Sequence, residues 1–95
     1  MRDPPRVARV RFSPAPPARE ASDLLGFASC SIADIGRIDG LAVRRVADGR
    51  YAVTFPGRRD RLGRRHLYFR PRDARARREI ERRVIEELLA RGVLP

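Results

Sequence analysis

The chain has 95 residues and a formal charge of +10; a domain this short buries only about 60–65% of the surface its unfolded chain exposes, which excludes a second domain and a deep cofactor cleft. So large a charge speaks to polyanionic partners and not to fold. No run approaches the roughly 18 apolar residues that span a bilayer, and no apolar h-region of a signal peptide follows Met1-Arg2-Asp3-Pro4-Pro5, so the expectation is a single cytoplasmic domain.

Residues 1–5 read as a flexible tail. Residues 6–12 predict a first strand, with Val10 and Phe12 on one face and Arg9 and Arg11 on the other. Residues 13–22 carry Pro14, Pro16 and Pro17 and predict a mobile loop. Residues 23–32 form a nearly uncharged run, expected to be a central strand covered on both sides, or on one side by a partner chain. Leu24, Ala28, Cys30 and Ile32 would share one face, and Leu25 and Phe27 the other. Cys30, the only cysteine, is expected to be a buried small hydrophobe.

Residues 37–46 predict a third strand with Leu41 and Val43 on one face. Asp48-Gly49 then signals a hairpin, expected as a type I′ turn. Tyr51, Val53 and Phe55 alternate along a fourth strand that Pro56-Gly57 ends. A basic turn, 58–65, leads to a last strand, 66–70, with Leu67 and Phe69 toward the core. Asp73 is placed to cap a helix over about 74–91. Its core stripe is Ala76, Ile80, Val84 and Leu88, widened by Ile85 and Leu89. Glu79 with Arg83, and Arg83 with Glu87, have ion-pair spacing. Gly92 suits the C′ position, with Leu94 placed for the apolar contact that accompanies it. The expected architecture is α+β: an antiparallel meander sheet of about five strands with one C-terminal α-helix.

The residues argue against catalysis. His66 is the only histidine, so no pair can share a metal. Gly36 and Gly40 lack the Lys-Ser/Thr of a phosphate loop. The helix carboxylates have arginines three or four residues away and read as solvated ion pairs. No catalytic, cofactor or metal site is expected, and no enzyme.

The basic residues point elsewhere. There is no lysine; every cation but the histidine is arginine. GC-rich codon usage alone raises arginine, alanine, glycine and proline together, so the positions of the arginines decide. Arg58, Arg59, Arg61, Arg64 and Arg65 fall within eight residues, flanked by Arg50, Arg70 and Arg72. A hairpin tip cannot bury five guanidinium groups. Each can donate two parallel hydrogen bonds to a phosphate, releasing counterions as it does so. On the helix, Arg75, Arg77, Arg78, Arg82 and Arg83 crowd the first half and Glu86 and Glu87 the second. That opposes the macrodipole and adds Arg77 and Arg78 as candidate phosphate contacts. Only Tyr51 and Tyr68 are positioned to offer an exposed ring. The expected partner is DNA or RNA; the alternative is a module that docks an acidic protein through the basic turn.

The stretch Leu41-Ala-Val-Arg-Arg-Val46, then Asp48-Gly49, then Val53-Thr-Phe55-Pro56-Gly57-Arg58-Arg59, then Gly63 and a strand ending at Pro71, resembles the SpoVG family of bacterial regulators. Val7-Ala-Arg-Val-Arg11 fits that family's first strand, and the likeness runs from about residue 6 to 91. The resemblance implies a homodimer built by sheet contacts that binds DNA and RNA with modest sequence preference; members of the family are associated with septation, sporulation and gene expression, of which a sporulation role does not carry over on sequence grounds. It also implies nucleic-acid contacts at Arg58 and Arg59 and in the loop beyond. The family's usual Thr-Pro-Asp-Gly is here Asp60-Arg61-Leu62-Gly63, followed by Arg64-Arg65, a more basic loop.

Overall fold

Apolar residues at alternate positions draw four segments into one antiparallel sheet, β1 (Val7–Pro14), β2 (Leu24–Ile32), β3 (Gly36–Arg45) and β4 (Tyr51–Thr54), in the spatial order β1-β2-β3-β4. Two short strands, β5 (Gly57–Arg59) and β6 (Arg65–Leu67), pair only with each other, and helix α1 (Ala74–Ala90) follows. This computed structural model describes residues 6–16, 23–33 and 35–95. The tail at 1–5 and most of the proline-rich segment, 17–22, lie outside the described residues, while Ser13 and Pro14 belong to β1. The α+β class with one C-terminal helix is as expected. The meander, however, stops after four strands, and the last two form a separate ribbon.

Helix α1 covers one face of the sheet. Ala76, Ile80, Val84 and Leu88 are each at most 5% exposed. Ile80, Val84 and Leu88 pack with Val10, Ala28, Cys30, Ile32, Leu41, Val43, Val53 and Phe55, among others, into one core. Each large apolar side chain so buried contributes roughly 1.5–3 kcal/mol. Asp73 caps the helix by accepting the Ala76 amide at 2.8 Å. At the other end the Gly92 N–H donates to the Leu89 carbonyl and the Val93 N–H to the Leu88 carbonyl, a Schellman closure with Gly92 at φ 69°. Ile85 and Leu94 pack on the core. Leu89 does not widen the stripe: it is 48% exposed.

Three bulges displace strict alternation. In β1, Ala8 pairs with Ser31 and Arg11 with Ser29, so Arg9 and Val10 together oppose Cys30. Arg9 adopts φ 51° to make this turn of the strand. Val7 and Val10, three residues apart, thereby both reach the core. In β3, Asp39 and Gly40 oppose Ser29, with Gly40 at φ 77°. The third bulge, between Leu24 and Gly26, sends Leu25 to the core side, against the expectation that it would join Phe27. Phe27 itself is 47% exposed. Within the chain, β2 is therefore covered on one face and open on the other.

Both sheet edges are tied to the helix. The Glu81 carboxylate accepts the outward-facing Val53 N–H of β4 at 2.8 Å, and the Arg91 guanidinium donates to the Val10 carbonyl in the β1 bulge at 2.5 Å. The Asp48-Gly49 hairpin forms, but not as type I′. Only Gly49 has positive φ there, the Gly49 N–H donates to the Val46 carbonyl, and Val46 and Arg50 close the loop. This is the longer loop with a glycine bulge, which matches strand twist equally well.

Candidate nucleic-acid interface

Arg58 and Arg59 lie in a strand and not in a turn. Gly57 pairs with Leu67, Arg58 with His66 and Arg59 with Arg65. Arg58 and His66 therefore share one face of the ribbon, and Arg59 and Arg65 the other. Gly57 is required at the entrance: a Cβ there would stand 2.5 Å from the His66 carbonyl oxygen. The base is anchored by Leu67 and Phe69 against the core, by the Phe55–Phe69 ring pair at 6.1 Å, and by the Tyr68 N–H on the Pro56 carbonyl.

The true turn is Asp60–Arg64, built like the Val46–Arg50 turn: the Gly63 N–H donates to the Asp60 carbonyl, with Gly63 at φ 80°. Asp60 orders it. Its Oδ1 accepts the Leu62 and Arg64 amides at 2.9 Å each, and its Oδ2 lies 3.0 Å from Arg64 Nε and 2.8 Å from His66 Nε2. The hydrogen bond with His66, followed by the Arg64 amide, holds the Asp60 carboxyl below the usual carboxylate range.

The five ribbon arginines divide by environment. Arg59 and Arg65 face each other directly, an arrangement that like charges disfavour, and each turns to a carbonyl. Arg59 donates to Gly63 O at 3.0 Å and Arg65 to Phe55 O at 2.6 Å. Arg64 pairs with Asp60. Arg58 and Arg61 are exposed and, among the described residues, their guanidinium groups make no hydrogen bond or ion pair. All five are exposed, as expected of a hairpin tip, but only the Arg58 and Arg61 guanidinium groups lack a protein partner among the described residues. Leu62 stands out from the tip, 77% exposed.

Helix α1 makes its principal contacts with β1 and β4. Arg77 lies 3.8 Å from Glu81. Arg82 sits between Glu79, at 2.6 Å, and Glu86, and Arg91 pairs with Glu87. These replace the expected Glu79–Arg83 and Arg83–Glu87 pairs. Both carboxylates bind Arg82, which raises its pKa, with Glu79 contributing most. Arg78, Arg75 and Arg82 line an open groove with Tyr51 and Ile85. The Tyr51 hydroxyl donates to the Pro95 carbonyl, and Arg45 lies over the Tyr51 ring at 5.5 Å. Tyr68 is 69% exposed.

Asp60 and His66 are the residues that sequence reasoning missed. Asp60 carries a local signal: an Asp at the first position of a turn accepts the amide two residues on. The His66 contact depends on register and has none.

Among the described residues no helix is long and apolar enough to cross a membrane, and no three His, Cys, Asp or Glu side chains gather as metal ligands. Comparison with family models, with curated proteins and with solved structures finds no match to this chain.

Proposed function

We propose that the protein binds nucleic acid, DNA or RNA, through the β5–β6 ribbon, with Arg58 and Arg61 as the leading phosphate contacts. One observation carries this reading. An Asp60-ordered ribbon presents two unpaired guanidinium groups, with Arg59, Arg64 and Arg65 alongside. Ordering in advance lowers the entropy lost on binding, and a two-stranded ribbon fits the major groove of a duplex. The role is that of a regulatory protein similar to the SpoVG family, acting on gene expression or septation. The stretch Phe55-Pro56-Gly57-Arg58-Arg59, on which that likeness chiefly rests, has a structural reason in this chain: a buried ring, an obligatory glycine and two outward arginines. The homodimer belongs to the same proposal. A mass of one chain in sedimentation at micromolar concentration refutes that part alone.

Titration against short duplexes at several salt concentrations tests the site. Arg58→Ala/Arg61→Ala is expected to lower the log–log salt slope by about 1.8. The control Arg75→Ala/Arg83→Ala removes the same charge from the helix and is expected to change it little. Equal losses in the two double variants mean that the ribbon is no site and net charge alone acts. Absence of binding at about 50 mM salt refutes the function.

A further inference from the structure

The sheet face turned away from α1 carries a second set of groups. The bulges opposite Cys30 and Ser29 insert their extra residues in β1 and β3, so β2 itself alternates from Gly26 to Ile32: Gly26, Ala28, Cys30 and Ile32 are buried, and Phe27, Ser29 and Ser31 share the open face. Register places Ser13 and Ala42 on either side of Phe27, and Arg11 beside Ser29. These small neighbours leave the Phe27 ring 47% exposed. Arg37 donates to Ser29 Oγ and Ser31 Oγ at 2.9 Å each, which holds its guanidinium on the sheet surface. The Arg11 guanidinium makes no hydrogen bond or ion pair among the described residues. On this face Arg11 and Arg37 stand beside the two serines, while Arg44 is paired with Asp23 at 2.8 Å and Arg45 lies over the Tyr51 ring by the helix groove.

We propose that this face is a platform for single-stranded nucleic acid, with a base stacked on Phe27 and neighbouring phosphates on Arg11 and Arg37. An open aromatic ring beside guanidinium groups suits a strand whose bases are unpaired, because every base offers a π-face. A duplex hides those faces. A second copy of the chain fits poorly: a two-fold contact through this face sets a positive patch against itself. The inference shares the nucleic-acid chemistry of the proposed function but not its site.

Anisotropy with a short labelled oligo-uridine and with a short duplex tests it, in Phe27→Leu, Phe27→Tyr and Arg11→Ala. Phe27→Leu keeps apolar volume and removes the π-face. It is expected to weaken oligo-uridine roughly tenfold at unchanged salt slope and to leave the duplex unaffected. Phe27→Tyr restores binding, and Arg11→Ala lowers the single-strand slope by about 0.7. Photo-crosslinks from 5-iodouridine map to the peptide holding Phe27. Wild-type affinity for oligo-uridine in Phe27→Leu overturns the inference. So does a sedimentation result in which Phe27→Leu splits a dimer while crosslinks map elsewhere. If wild type binds duplex and Phe27 is indifferent, only this inference falls. If it binds neither probe, the proposed function falls with it.

Discussion

His66 Nε2 lies 2.8 Å from Asp60 Oδ2, and through that contact the tip of the ribbon is fastened to the strand that returns from it. The same carboxylate holds two amides of the turn on its other oxygen. One side chain thus sets the posture of Arg61, Leu62 and Arg64.

The first prediction concerns acid. The Asp60 pKa is lowered in the folded chain, so its contribution is fully present above the ordinary carboxylate value of about 4 and is lost as pH falls through the lower folded value. In an acid titration followed by NMR, the Leu62 and Arg64 amide resonances should hold steady to about pH 4 and move below it. Asp60→Asn should abolish that transition. Amides that never move across the acid range contradict the role of Asp60.

Gly57→Ala should open the ribbon. The added Cβ meets backbone, not a movable side chain, and overpacking of this kind costs about 1–3 kcal/mol. Cross-strand NOEs between Arg58 and His66 should weaken, and duplex affinity should fall with them. Intact NOEs would show that the hairpin shifts as a unit to make room.

Cys30 has no exposed surface, and burial pushes its thiol pKa up. Its reaction with a disulfide reagent should proceed only as fast as the fold opens. A labelling rate that matches a free thiol in native buffer would refute this.

Helix and sheet are coupled through Glu81. Glu81→Ala leaves the Val53 N–H without its acceptor, at a cost of about 1–3 kcal/mol. For a domain of this length, each 1 kcal/mol lowers Tm by about 4–8 °C. Glu81→Gln keeps an acceptor oxygen and should recover most of the loss. Equal melting of the two variants would show that the hydrogen bond carries nothing.

What was legible in the residues was what is local. The stripe Ala76, Ile80, Val84 and Leu88, the Asp73 cap and the Gly92 closure each depend on neighbours within a few positions, and all appear as expected. The strands were found and most of their core faces with them: Val10 with Phe12, Leu41 with Val43, and Ala28, Cys30 and Ile32 pack as expected, and the face slips at Leu25, where a bulge inserts a residue. Val7 was missed because its core position is fixed by Arg9 at positive φ, which no alternation pattern encodes. The basic segment was read as one turn from 58 to 65 because Pro56-Gly57 looks like the end of a strand. Arg58 and Arg59 instead pair with His66 and Arg65, and Asp60 and two backbone carbonyls receive the Arg64, Arg59 and Arg65 guanidinium groups. Helix ion pairs were expected around Arg83, yet it is Arg82 on which Glu79 and Glu86 close from both sides.

The Glu81 clamp also has a meaning in time. The strands precede α1 in the chain, so they emerge from the ribosome before the helix that seals the β4 edge. Until α1 docks, β4 offers bare amide and carbonyl groups to any other nascent copy, the template from which strand-to-strand aggregates grow. Solubility during synthesis therefore depends on how quickly the helix arrives. A slow or truncated α1 should betray itself as inclusion bodies before any effect on binding is measured.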